Sequence, residues 1–193
     1  MSITYPIKNK QALNRFKEYY RKVKPNPRNY TMIIIGLNTA FRISDLLQLQ
    51  WQDVRDFKKG KFYKHISIVE QKTGKERRVA VNKVEQQTLS DYFAFCENAV
   101  QTDYLFRSNK KRDRPISRFQ AHRIVKEAAD QTGLGEHISC HSLRKTFGYH
   151  AWKQGTPPAM LMNLYNHSSY QITKCYLGIE QEEQDNVYLH IEL

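Results

Sequence analysis

Residues 139–152 read SCHSLRKTFGYHAW, and the stretch reads as part of a helix over 141–154. His141 and Arg144 are three positions apart, so on a helix they share a face. Alone, such a pair also fits an ordinary helix start with an exposed cation. The residues on either side decide between the two readings.

Downstream, residues 167–178 read HSSYQITKCYLG. They hold His167, then Tyr170 three residues on and Tyr176 nine residues on. The chain has 12 tyrosines, so a tyrosine by itself says nothing. A histidine in a tight NHSS turn is also compatible with plain hydrogen bonding.

Upstream, TMIIIGLNTAF (31–41) reads as a buried helix ending near Asn38, and ISDLLQLQW (43–51) as a short second helix with Ser44 or Asp45 in its first turn. Arg42 falls between them. A fixed arginine between packed helices needs its charge matched, and Asp45 is a local candidate for that. HISIVEQKTGKERRVAV (65–81) carries the one clear β signal: Ile66, Ile68 and the run Arg78–Val81 flank the turn Lys72-Thr73-Gly74-Lys75. Lys72 is then a mobile cation on a hairpin tip, where most lysines are merely solvated.

The rest of the chain is helical punctuation. NKQALNRFKEYYRKV (9–23) has helical spacing of Leu13, Phe16, Tyr20 and Val23, and the prolines of KPNPRN stop it. Residues 84–99 read as a helix, YLF (104–106) as an apolar staple and NKKRDRP (109–115) as a basic loop. Ser117 suits the cap of a helix to about Gln131, stopped by Gly133 and Gly135. Helices are expected over 157–165, capped by Thr156 with Pro157 first, over about 169–178, and in the tail. The fold class is mainly α (α+β), with one small antiparallel sheet.

At 193 residues the chain suits one domain, 1–193, with a real core. Its formal charge of +12 points to a polyanion, nucleic acid before anionic membrane, although a solvated basic face is the bland alternative. No run approaches the roughly 18 apolar residues of a membrane span. The opening residues lack a secretory signal's apolar core. Cys96, Cys140 and Cys175 are odd in number and contain no CxxC, which argues against a disulfide framework or zinc site. A cytoplasmic protein is expected.

Taken in order, Arg…Lys-Thr-Gly…His-x-x-Arg…His…Tyr resembles the tyrosine recombinase (phage integrase) family. The matching phrases are FRISDLLQLQWQDV, QKTGKERRVAV, YLF, HSLRKTF and HSSYQITKCY, covering about residues 30–178. The resemblance implies a helical catalytic domain that cleaves and rejoins double-stranded DNA through a 3′-phosphotyrosyl link. It implies a catalytic set of Arg42, Lys72, His141, Arg144, His167 and Tyr176, with Asp45 in support and Tyr170 as packing. It implies no cofactor and no metal, and a homotetramer on synapsed DNA that is a monomer or weak dimer when free. Accessory DNA-bending proteins are compatible with it, and no membrane partner is expected. Lys110, Lys111, Arg112, Arg114 and Lys145 are expected DNA-backbone contacts.

Two departures stand out. The family's Leu-Gly-His is Tyr165-Asn166-His167 here, and asparagine best tolerates the left-handed backbone that glycine supplies. Only 41 residues precede Arg42, too few for the separate helical DNA-binding domain of many relatives, so either an excised catalytic domain or a short invertase-like member is expected. The tail IEQEEQDNVYLHIEL (179–193) is acidic and then apolar, and is expected either to dock on a neighbouring copy or to fold onto its own domain. A topoisomerase of the same active-site logic, and a DNA binder with a decayed site, are the competing functions.

Overall fold

A computed structural model describes residues 4–109 and 113–191 of the chain. Helix α1 (Lys10–Glu18) starts where the Asn9 side chain accepts the Ala12 N–H at 2.9 Å, and it runs into a π-helical turn, Tyr19–Val23. Pro25 follows the end of that run, but Pro27 does not break the chain: Asn26 caps α2 (Pro27–Thr39) and Pro27 is its first residue, so the helix begins four residues before the apolar run at Thr31. Met32, Ile33, Ile34, Ile35 and Leu37 are all buried, so α2 is apolar around its circumference and forms the central helix. It packs against α5 (Lys83–Phe95) and α7 (Cys140–Lys153).

Beyond α2 come the short helices α3 (Ile43–Leu47) and α4 (Trp51–Val54). Two antiparallel ladders follow where one was expected. β1 (Arg55–Asp56) pairs with β2 (Lys61–Phe62), and β3 (His65–Val69) with β4 (Glu76–Ala80) in the register Ile66↔Val79. Two-residue strands carry no alternation to read, and the first ladder depends on Gly60 at φ +65° to turn the chain.

Helix α5 is fixed by a capping box between Asn82 and Glu85. It stops at Phe95 rather than running to 99, because the Cys96 backbone leaves the helical region at φ −84° and ψ 88°. Leu105 and Phe106 of the YLF staple are fully buried. As expected, Ser117 caps α6 (Arg118–Gln131), accepting the Gln120 N–H at 3.1 Å. Helix α8 (Pro158–Tyr165) begins one residue later than expected: Pro157 is its cap and Pro158 its first residue. The chain closes with α9 (Tyr170–Leu177) and α10 (Glu180–Leu189).

The large core surrounds α2, Trp51, Leu89 and Phe106. A second, smaller cluster of Tyr149, Tyr165, Leu177 and Ile179 holds α9 against α7. Close approach there depends on Gly148, where an added Cβ would lie 2.2 Å from the Tyr165 hydroxyl. Helix α10 buries nothing: Glu182 meets Lys8, Lys153 and Tyr149, Glu183 meets Lys174 and Tyr170, and Val187, Tyr188 and Leu189 stay exposed. Among the described residues, no helix is long and apolar enough to cross a membrane.

Candidate active site

The site begins at the end of α2. Ala40 takes a left-handed conformation (φ 51°, ψ 27°), which turns the chain so that Arg42 can cap α3. Arg42 does not pair with Asp45. Its guanidinium ion-pairs with Glu70 at 2.6 Å, while the buried Asp45 carboxylate accepts the Gln71 N–H at 3.0 Å. Asp45 therefore anchors the backbone next to Lys72.

Lys72 is exposed on the β3–β4 turn, whose Gly74 sits at φ +66°. The turn is tied down on both sides. The Thr73 hydroxyl donates to Glu70 at 2.8 Å, and the Lys75 ammonium donates to the Asn166 side chain at 2.8 Å. Burial raises the Glu70 carboxyl, but hydrogen bonds from Arg42, Thr73 and Arg77 outweigh it and leave its pKa below the usual range.

Helix α7 carries His141 and Arg144 on one face. Arg144 is buried, donates to the Ala40 and Leu164 carbonyls, and lies over the Tyr165 ring at 4.7 Å. Arg77, from β4, reaches the same helix end, donating to Thr39 O at 3.0 Å and Ala40 O at 3.4 Å. The carbonyls at the end of α2 carry the negative end of its dipole and suit these cations. His141 stands at the solvent-facing rim. Desolvation against the site wall, then the charges of Lys145, Arg144, Arg42 and Lys72, lower its pKa to about 4. Its imidazole is neutral at pH 7.

The α8–α9 turn completes the site. Asn166 adopts φ 55° and ψ 47°, the left-handed geometry expected for the glycine position, and the His167 N–H closes the helix end on Met162 O at 3.0 Å. His167 Nδ1 meets the Thr173 hydroxyl at 3.0 Å, and its pKa is lowered by desolvation, Arg144 and Arg42.

The Tyr176 ring is boxed in by His141 (5.2 Å between centroids), His167 (5.2 Å) and Tyr165 (5.0 Å), with the Lys145 ammonium 5.0 Å from its centre. Burial raises the Tyr176 phenol to about 12, against the opposing pull of Arg144 and Arg42. Its hydroxyl is buried beside the Arg144 guanidinium, which favours the anion, but among the described residues no side chain meets it in full hydrogen-bond geometry. Such a group carries a desolvation cost, and it sits among cations, where an anionic oxygen would be welcome.

Arg42, His141, Arg144, His167 and Tyr176 are thus brought to one place, with Lys72 near enough for its charge to act on His141. Tyr170 lies apart, donating to Glu183 at 2.8 Å. Lys145, expected on DNA, has its ammonium on Thr4 O at 2.7 Å and beside Tyr176. Arg114 is exposed beside Asp113, and Lys110, Lys111 and Arg112 lie outside the described residues. Sequence reading missed Glu70 and Arg77. It also missed Arg118, Phe119 and His122 of α6, which share a cleft of about 400 Å³ with Arg42, His141 and Arg144. The start of α6 next to a basic loop was the available signal for those three.

The chain is 38% identical over 188 residues to the Bacillus subtilis (strain 168) protein named "Probable integrase/recombinase YoeC", covering 97% of each chain. It is 26% identical over 164 residues to the tyrosine recombinase XerD of Corynebacterium glutamicum, covering 83% of this chain but only 51% of XerD. The crystal structure of XerA recombinase superposes with a TM-score of 0.76 at 19% identity, covering 99% of this chain and 66% of that one. The model of the phage integrase family matches residues 7–183, and the chain belongs to that family.

Proposed function

We propose that the chain is a site-specific DNA recombinase that cleaves and rejoins double-stranded DNA through a phosphotyrosyl intermediate, with Tyr176 as nucleophile. The observation that carries this reading is the convergence of Arg42, Arg144, His141 and His167 around the Tyr176 phenol, whose hydroxyl is buried.

Arg42 and Arg144 hold the non-bridging oxygens of the scissile phosphate, each through parallel N–H donors suited to an oxyanion. A preorganised donor of this kind contributes about 3–4 kcal/mol to the transition state. The Tyr176 oxygen attacks phosphorus and the bond to the 5′-oxygen breaks. A phenol raised to about 12 is not ionised beforehand, so its proton leaves as the attack proceeds. Neutral His141 is the acceptor on that side. Lys72 protonates the departing 5′-oxygen. In the tautomer whose Nδ1 accepts the Thr173 hydroxyl, His167 presents an Nε2–H donor to the phosphate. The phosphotyrosyl link conserves the energy of the broken bond, and attack by a different 5′-hydroxyl reverses the steps. Asp45 acts at one remove, by fixing the Gln71 backbone beside Lys72.

The reading extends to a homotetramer on two synapsed duplexes, acting in the cytoplasm, with Arg114 and the basic residues Lys110, Lys111 and Arg112 on the DNA backbone. The net charge of +12 makes its DNA affinity fall steeply with salt. The test uses nicked duplexes carrying candidate sites from the flanks of the chain's own gene. The nick lets a short 5′-hydroxyl fragment diffuse away and traps the intermediate. A covalent protein–DNA band that Tyr176→Phe removes supports the reading. A band that survives Tyr176→Phe, or duplex binding with no band on any site, counts against it.

A further inference from the structure

Three guanidinium groups, Arg42, Arg77 and Arg144, crowd the site, and one buried carboxylate, Glu70, stands among them. Glu70 follows β3 immediately, at the point where the Lys72 turn departs. Its Oε2 meets both Arg42 at 2.6 Å and the Thr73 hydroxyl at 2.8 Å, and its Oε1 faces Arg77 at 3.4 Å. Its backbone closes the same turn. The Glu70 N–H donates to Lys75 O at 3.0 Å, and its carbonyl accepts the Gly74 N–H at 2.8 Å. A single residue is therefore fixed to the phosphate-binding arginine by its side chain and to the lysine turn by both side chain and backbone.

We propose that Glu70 is a positioning residue for strand cleavage, coupling Arg42 to the turn that carries Lys72. It holds the phosphate-binding fork and the proton donor in one frame. This rests on the functional reading above. Both carboxylate oxygens are used, so glutamine is a poor substitute: its amide nitrogen would turn a donor towards one of the two arginines. Neutralising charge is the lesser part of the role. Glu70 cancels one of three positive charges, and the remaining excess suits a phosphodiester as it gains charge towards the transition state.

The cleavage step separates positioning of Lys72 from general damage. As the Tyr176–phosphorus bond forms and the phosphorus–O5′ bond breaks, the 5′-oxygen needs a proton from Lys72. When sulfur replaces that oxygen, the group departs as a thiolate without one, because thiols are acidic near pH 8.5 and alcohols are not. Single-turnover cleavage of nicked duplexes with a 5′-bridging oxygen or sulfur would be measured for wild type, Lys72→Ala, Glu70→Gln and Thr73→Val.

On the oxygen substrate, Glu70→Gln is expected to slow cleavage by about 100-fold, the scale of a misplaced catalytic group, and Thr73→Val by about 10-fold, a fraction of a general acid's contribution. On the sulfur substrate the Thr73→Val deficit should vanish and the Glu70→Gln deficit should shrink, leaving its Arg42 part. Equal deficits on both substrates, or none on either, would overturn the coupling. Thr73→Val leaves the buried charge pairing intact and decides the matter if Glu70→Gln does not fold. A wild-type chain that forms no Tyr176-dependent adduct on either substrate overturns the functional reading and this one with it. A wild type that cleaves while the variants fail equally overturns only the coupling.

Discussion

The Lys75 ammonium donates a hydrogen bond to the Asn166 side chain at 2.8 Å, joining the hairpin that carries Lys72 to the turn that presents His167. Glycine at position 166 could not make this link. Asn166→Gly keeps the left-handed backbone and removes only the tether. Such an exposed bond contributes about 0.5–1.5 kcal/mol, enough to change the local opening of the turn but not global stability. Amide hydrogen exchange over residues 70–76 should quicken several-fold at unchanged Tm. Unchanged exchange would mean that the tether does not hold the hairpin.

Gly148 has no room for a side chain, since a Cβ there would meet the Tyr165 hydroxyl at 2.2 Å and Leu177 at 2.7 Å. Gly148→Ala must push α8 or α9 away from α7. Overpacking of this kind costs about 1–3 kcal/mol, which corresponds to a fall in Tm of roughly 2–12 °C for a chain of this size. Tyr165 also donates to Arg144 O at 2.8 Å, so cleavage should suffer along with stability. A thermal melt within 1 °C of wild type, on the same scale, would contradict the packing argument.

Tyr176→Phe removes a buried hydroxyl that no described protein group satisfies. The variant should therefore be as stable as wild type, or more stable by up to about 1–3 kcal/mol, while losing covalent attachment to DNA entirely. Urea denaturation would show a midpoint at or above that of wild type. A clear loss of stability would mean that the hydroxyl has a structural partner.

The two histidines set a pH window for stability. His141 is lowered from 6.5 to about 4 and His167 is lowered in the same direction, so between those values the unfolded chain binds more protons than the folded one. Stability is then complete above about pH 6.5 and declines as pH falls towards 4. Unfolding midpoints between pH 4.5 and 7 should rise with pH, and His141→Gln should flatten part of that rise. A pH-independent midpoint in wild type would refute the assignment of neutral imidazoles. Glu70 adds its own loss further down, below its ordinary 4.5, as it takes up a proton in the folded state.

Much of this molecule was legible along the chain. Apolar spacing located the helices, and because an N-cap bond reaches only three residues, Ser117 could be read as the cap that accepts Gln120; the caps at Asn9 and Asn26 were not read from the chain. The order of Arg42, Lys72, His141, Arg144, His167 and Tyr176 pointed to one family, and the left-handed Asn166 followed from the residue type that tolerates it. The two-residue ladder at 55–62 was not legible, since so short a strand has no period.

Only the tertiary structure decided which charges meet. Along the chain Glu70 and Arg77 look like solvated residues at the edge of a hairpin, and Arg42 has Asp45 close at hand. In space the hairpin lies against the end of α2. Asp45 is drawn to the Gln71 backbone, and Arg42 is left to Glu70, 28 residues further along the chain. Helix starts and turns are governed by neighbours within a few residues, which sequence displays directly. A buried ion pair is governed by desolvation, which demands a partner wherever the packed elements bring one.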